Sequence, residues 1–304
     1  KKSEDDSDDD KKCPKCGKAM TRCKDVIDCW FDSGAMPFAQ YHYPFENKEI
    51  WEEQFPADFI AEGIDQTRGW FYSLLTISTF ITGKSPFKNV LVNDLLLDKY
   101  GHKMHKSKGN AVEPFGVMER NGADPIRWYL PYVSPVWTPI KFDEDGLKEV
   151  YSKFFNTLKN TYSFFALYAN TDNLDPREFD VAYEDRDEID KWLLSKYNKL
   201  LNYVTNAYDE FDATKVVRSV TDFVSEDLSN WYIRRNRRRF WSSEFDTSKK
   251  SVYKTTYEVL EGLCKMIAPI ASYTAEEIYL ALTGKSVHTE DFPVVDLTKV
   301  NDRI

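Results

Sequence analysis

A chain of 304 residues is long enough for about two domains with sizeable cores, and 42% hydrophobic with 15% aromatic residues exclude a peptide-like or disordered polymer. Forty-one basic against 50 acidic residues give a net charge of -9, which excludes a generic polycation coating nucleic acid and confines any such contact to a local basic face. No apolar run approaches the ~18–20 residues that a bilayer-spanning helix needs, so no membrane segment is expected.

Residues 1–12 are almost entirely Lys, Asp, Glu and Ser, and read as a solvated linker or the residual end of a preceding insertion. The chain opens at Lys1 with no secretory leader, and reads as a piece of a longer protein. Five cysteines, four of them near one end, fit a reducing compartment with a local metal site better than a disulfide framework; the expected location is the cytoplasm. Cys13 and Cys16 are separated by two residues and followed by Gly17, a spacing that lets a tight turn aim two thiolates at one tetrahedral Zn²⁺. That is half a site. Its other pair lies outside this chain or includes Cys23; the alternative is a pair of reduced, unmetallated thiols. Cys29 and Cys264 sit beside apolar residues and read as packed side chains.

Trp30-Phe31-Asp32-Ser33-Gly34 follows the apolar pair Val26-Ile27 and ends in a turn signal, which puts Trp30 at the mouth of a sheet or, more plainly, in a core. Residues 58–61 and 89–97 read as strands and 66–81 as a largely buried helix; strands alternating with helices point to a parallel sheet. Glu62-Gly63-Ile64-Asp65-Gln66-Thr67-Arg68-Gly69-Trp70 bridges strand to helix, at the edge where such sheets bind ligands. Gly63 permits close approach, Asp65 suits ribose hydroxyls, Gln66 an amine or carboxylate, and Trp70 is expected two turns into the helix, facing the sheet. The plainer reading makes Asp65 a helix cap with Arg68 ion-paired.

Lys103-Met104-His105-Lys106-Ser107-Lys108-Gly109-Asn110 follows a Tyr100-Gly101 turn, and its three lysines form either a mobile clamp for phosphates or a solvated loop. His42 and His288 have no metal-spaced company, His102 and His105, three apart, lie among lysines that disfavour a metal, and the common phosphate-loop, dinucleotide and nucleophile-elbow signatures are absent. From about residue 144 apolar residues recur at helical spacing over 145–170, 186–210, 213–241 and 249–282, an all-helical half. The acidic stretch 170–186 is the most linker-like internal region, and the domain boundary is expected there. Within that half, residues 231–241 interleave aromatics with five arginines, a composition that pairs with phosphates and stacks on bases, or else an amphipathic helix whose arginines pair with Glu226, Asp227 and Glu244.

Taken in order, Trp30–Gly34, Glu62–Trp70 and Lys103–Asn110 resemble the second half of the catalytic domain of the class I aminoacyl-tRNA synthetases, within them the isoleucyl-tRNA synthetase family. The last segment is similar to the family's KMSKS loop, the middle one to its EGxDQxRGW segment, and the helical half to its anticodon-binding bundle. The resemblance implies an α/β part, the second half of a Rossmann-type nucleotide fold with zinc knuckle and connecting helices over 13–184, followed by an all-α helix-bundle domain over 185–304. It implies that Glu62, Gly63 and Asp65 hold the adenylate ribose and Gln66 the amino-acid end, with Met104 also at the adenylate. Trp30 and Trp70 would wall the isoleucine pocket. Lys103, Lys106 and Ser107 would stabilise the ATP phosphates as the isoleucine carboxylate attacks the α-phosphorus, and Arg234, Arg235 and Arg238 would contact tRNA. ATP with Mg²⁺ and, at Cys13 and Cys16, Zn²⁺ are the implied cofactors, with isoleucine-specific tRNA as partner and a monomeric state.

Two departures from the family pattern stand out. His105 occupies the loop's third position, usually serine, and no His-x-Gly-His element occurs, so the chain is expected to form no adenylate alone. The alternatives are a valyl-type synthetase, whose pattern lacks the Glu-Gly-x-Asp-Gln run, a non-catalytic tRNA-binding module, or a zinc-stabilised structural protein.

Overall fold

The computed structural model describes residues 12–21 and 28–301, so Cys23 and nearly all of the 1–12 segment lie outside the described residues. The chain divides into two compact units, Lys1–Leu91 and Val92–Ile304.

The first unit opens with three short helices, α1 (Cys29–Gly34), α2 (Met36–Ala39) and α3 (Lys48–Gln54). Strand β1 (Ala57–Gly63) leads through a 3₁₀ turn (Ile64–Arg68) into α4 (Trp70–Thr82), and the chain returns as β2 (Phe87–Asn93), which pairs with β1. Lys88 and Asp58 close an ion pair across the two strands at 2.7 Å. Helix α4 buries Phe71, Leu74 and Ser78, spaced three and four apart on one face, and ends at Gly83, whose φ of 72° provides the left-handed cap. Its other face is also apolar, yet Tyr72, Phe80 and Ile81 are exposed, so the helix is half-buried rather than largely buried. Helix α1 lies hard against α4: a Cβ on Gly34 would come within 2.8 Å of the Ser73 backbone. A second centre of packing is aromatic, with Trp51 stacked at 4.0 Å on Tyr43 and 4.6 Å on Phe55.

The second unit begins with β3 (Leu96–Leu97), parallel to β4 (Ile140–Lys141) in the register Leu96 to Ile140. Between them run the lysine loop, α5 (Pro114–Asn121) and α6 (Ala123–Val133). Then come α7 (Glu144–Val150), α8 (Thr157–Thr171), α9 (Glu188–Asp209), α10 (Ala213–Asp222), α11 (Arg234–Trp241), α12 (Thr247–Ile267) and α13 (Ser272–Thr283). The expected helical half is present, with the carboxylates of Asp143, Asp212 and Asp246 accepting first-turn amides of α7, α10 and α12. Two wide π-helical stretches, Tyr151–Asn156 and Phe223–Ile233, join α7 to α8 and α10 to α11 without a break. One continuous core runs from Val117 to Val287, centred on Trp128, which stacks at 4.1 Å on Phe154 and donates its indole N–H to Thr221 at 3.0 Å.

The acidic stretch 170–186 is no free linker. Asp172 takes Lys249 at 2.7 Å and the Tyr253 hydroxyl at 2.7 Å, and the buried Arg186 makes a two-pronged contact to Glu258 at 2.7 and 2.8 Å. Its charges hold it down on α12.

Candidate functional site

The strand-to-helix turn is built by its own side chains. Gly63 is extended at φ -68° and a Cβ there would meet the Asp65 carboxylate at 2.6 Å, so glycine lets Asp65 fold back over the strand end. Gln66 donates its amide N–H to Asp65 at 3.2 Å and accepts the Trp70 backbone N–H at 2.9 Å. Gln66, not Asp65, therefore serves the start of α4, and Trp70 is the first residue of that helix rather than two turns into it. Glu62 and Asp65 remain exposed.

Trp30 stands in α1, because Asp28 accepts its backbone N–H at 3.2 Å and starts a helical turn. It is 44% exposed, and its ring edge faces Gly69, where a Cβ would sit 3.1 Å away. The Trp70 indole N–H donates to the Ser33 carbonyl at 3.2 Å. The structure thus gathers Trp30, Gln66 and Trp70 around the buried Gly69. Sequence reading gave no role to Ser33 or Gly69; the signal available was only that a glycine stood between Gln66 and Trp70. Cys29, expected to be packed, is exposed, whereas Cys264 is buried and its thiol is pushed up by burial.

The lysine loop is a folded hairpin. Leu97 and Lys103 form an antiparallel bridge, and Gly101, at φ 87°, makes the reversal. Lys103, His105 and Ser107 are exposed and Met104 is half-buried against the helical core; Lys106 begins a 3₁₀ turn, Lys106–Lys108. Sequence reading missed the two side chains that tie the loop down. Asp98 accepts the amides of Tyr100 at 3.0 Å and His102 at 2.8 Å, and Asn110 donates to Asp98 at 2.9 Å. The Asn110 and His102 donors hold the Asp98 carboxyl below the ordinary carboxylate value.

In α11 and the wide turn before it, the arginines divide. Arg239 turns inward and clamps the fully buried Asp190 through both guanidinium nitrogens at 2.7 Å, while Tyr232 donates to the same carboxylate at 2.6 Å. Burial, then the Asp190 charge, raise the Tyr232 phenol well above its ordinary value. Arg234, Arg235, Arg237 and Arg238 are exposed, and Arg235 stacks 4.3 Å above the Trp231 ring. Among the described residues no ion pair engages these four; Asp227 pairs instead with Lys196 at 3.5 Å, against the expectation that it serves an arginine.

Cys13 and Cys16 share a tight turn closed by a 2.8 Å bond from the Gly17 amide to the Cys13 carbonyl, with Gly17 at φ 69°. Amides of Lys15 and Cys16, then the Cys16 thiol, hold the Cys13 thiol below its ordinary value. These are two donors suited to Zn²⁺, half the set of four that a structural site takes. Among the described residues no group of three metal-ligating side chains occurs.

Comparison with known proteins matches residues 1–143 to the family described as tRNA synthetases class I (I, L, M and V), and residues 190–304 to the anticodon-binding domain of tRNA ligase. The chain is 52% identical over 93% of its length to the isoleucine--tRNA ligase of Bacillus thuringiensis strain Al Hakam, covering 27% of that protein. It is 51% identical over 92% of its length to that of Bacteroides fragilis strain ATCC 25285, covering 25%, and 50% identical over 95% to that of Porphyromonas gingivalis, covering 26%. In fold it is similar to the agnB2 LeuRS of Agrobacterium radiobacter K84, solved as a ternary complex with tRNA and LeuAMS, at TM-score 0.70 and 21% identity, covering 96% of this chain and 36% of that one. It is also similar to Mycobacterium tuberculosis methionyl-tRNA synthetase, solved with methionyl-adenylate, at TM-score 0.66 and 21% identity over 82% of this chain and 48% of that one. An α/β part followed by a helical part, with these matches in the same order, makes the chain a member of the class I aminoacyl-tRNA synthetases, spanning about a quarter of the length of the isoleucine--tRNA ligases that it matches.

Proposed function

We propose that the complete protein carrying this chain is an isoleucine-tRNA ligase, which activates isoleucine with ATP to isoleucyl-adenylate and transfers it to isoleucine-specific tRNA. The observation that carries this reading is 52% identity to an isoleucine--tRNA ligase over 93% of the chain. In the reaction the isoleucine carboxylate oxygen attacks the α-phosphorus of ATP, the bond to the β-phosphate oxygen breaks and pyrophosphate leaves. Such chemistry needs positioned cations more than a covalent catalyst. Lys103, Lys106 and Ser107 hold the phosphates, Mg²⁺ shares their charge, and Met104 packs beside the nucleotide.

Glu62, Gly63 and Asp65 receive the ribose, their support being two exposed acceptors beside a glycine. Gln66 reads the amino-acid end, and Trp30 and Trp70 wall the side-chain pocket from either side of Gly69. Arg234, Arg235 and Arg238 contact tRNA phosphates; the absence of ion-pair partners for them among the described residues and the Arg235–Trp231 stack support this. Cys13 and Cys16 supply two thiolates to a zinc knuckle completed elsewhere, in a monomer of the reducing cytoplasm. No helix among the described residues is long and apolar enough to cross a membrane. The apolar face of α4 lies, in the complete protein, under the remainder of the catalytic domain.

The test is amino-acid-dependent ATP–pyrophosphate exchange by the complete protein. Isoleucine is expected to be preferred over valine, and Lys106→Ala to slow exchange by about 10²-fold or more. Exchange supported by neither amino acid overturns the reading, whereas turnover by the 304-residue chain alone overturns only the expectation that it forms no adenylate by itself.

A further inference from the structure

The lysine loop owes its shape to two side chains outside its run of lysines. Loop amides and carbonyls that have no strand partner need another one, or water. Here the Asp98 carboxylate, 12% exposed, accepts the amides of Tyr100 and His102 at one end of the loop. At the other end Asn110 accepts the His105 amide at 2.9 Å and donates to the Lys103 carbonyl at 3.2 Å. The two side chains then join, Asn110 Nδ2 to Asp98 Oδ2 at 2.9 Å, closing a ring of bonds across 12 positions of sequence. Both flanks of Lys103 are thereby fixed. The residues 106–109 span only from His105 to Asn110, with Gly109 at φ 68° and open space where a Cβ would lie.

We propose that Asp98 and Asn110 form a clasp that positions the lysine loop, so that the clasp, and not the lysines alone, sets the rate at which the loop reaches the phosphates. The inference rests on the ligase reading above. The clasp bonds are all made within residues 98–110, so their loss costs the remaining fold little while it frees the loop backbone. A loop held in few conformers loses little entropy when it closes on a substrate, and one set free loses more. Asp98 and Asn110 are positioning residues, acting through Lys103 and Lys106.

The experiment uses the complete protein with Asn110→Ala, Asn110→Asp and the exchanged pair Asp98→Asn with Asn110→Asp. For Asn110→Ala we expect kcat of ATP–pyrophosphate exchange to fall about tenfold and KM for ATP to rise, with KM for isoleucine unchanged and the melting temperature within about 2 °C of wild type. Hydrogen exchange in peptides covering 98–110 should quicken. Asn110→Asp, which sets two carboxylates face to face, should be slower still. The exchanged pair should recover several-fold over it, because an amide donor and a carboxylate acceptor again face each other with their positions reversed. Wild-type kcat in Asn110→Ala, a uniform rise in both KM values, or no recovery by the exchanged pair overturns the clasp while leaving the ligase reading intact. A wild-type protein without isoleucine-dependent exchange overturns the ligase reading and the clasp with it.

Discussion

Helix α4 of the first unit and helix α12 of the second are both rich in apolar residues, yet only one is enclosed. In α12, Val252, Val259, Leu260, Leu263 and Ile267 are buried in a core that closes around them. In α4, Phe80 is 91% exposed, and the sheet beside it has two strands among the described residues. Apolar surface left in water contributes no burial, whereas a bundle of long amphipathic helices encloses its own core. The difference teaches that the second unit carries its own stability and the first leans on surface that it exposes.

The largest effect should come from breaking the enclosed side. Asp190→Ala leaves Arg239 and Tyr232 buried without their carboxylate, and is expected to lower unfolding free energy by about 3–5 kcal/mol in urea titration. An effect within experimental error would mean that the second unit does not depend on that cluster. The next largest sharpens the contrast on the exposed side. Phe80→Ser should alter the stability of the 304-residue chain by no more than about 0.5 kcal/mol, yet cost about 1.5–3 kcal/mol in the complete protein, where we propose that the face is covered. Equal costs in the two settings would refute the covered-face account.

The smallest effect is a pH dependence. Burial raises the Asp172 carboxyl but Lys249 and Tyr253 outweigh it, leaving its value below the ordinary one. A depressed folded value means that the contribution is present above the unfolded value of about 3.9 and is lost as pH falls through the folded one. The melting-temperature gap between wild type and Asp172→Asn should therefore be widest near neutrality and close below about pH 4. A gap that persists in acid would assign Asp172 a role other than its charge.

Much of this was legible in residue order. The runs 145–170, 186–210, 213–241 and 249–282 read as helices because their apolar residues repeat at helical spacing, and the strand-to-helix site at Glu62–Trp70 read correctly as a junction. What failed depends on partners distant in sequence. Nothing near Arg239 shows which carboxylate it meets; its partner is Asp190, 49 positions earlier. The Asp98–Asn110 bond is likewise invisible to a scan for local pattern, although both residues stood in plain view. The start of α4 was misplaced because Gly69, at φ -138° and ψ -114°, breaks the helical run between Gln66 and Trp70. Segment 170–186 read as a linker because its acids were counted without Arg186, Lys249 and Lys254, which bind it down.

The wide turn Phe223–Ile233 also governs the arginines that follow it. In an ordinary helix each residue advances the face by about 100°, so a stretch wound to a different period sets the angular phase of everything downstream. Arg234, Arg235 and Arg238 point outward, and Arg239 inward, because of how many residues that stretch takes to make its turns. Sequence change inside it that adds or removes one residue would rotate a cation into the core and a core anchor into water. The basic face is thus specified by the winding before it as well as by the residues that compose it.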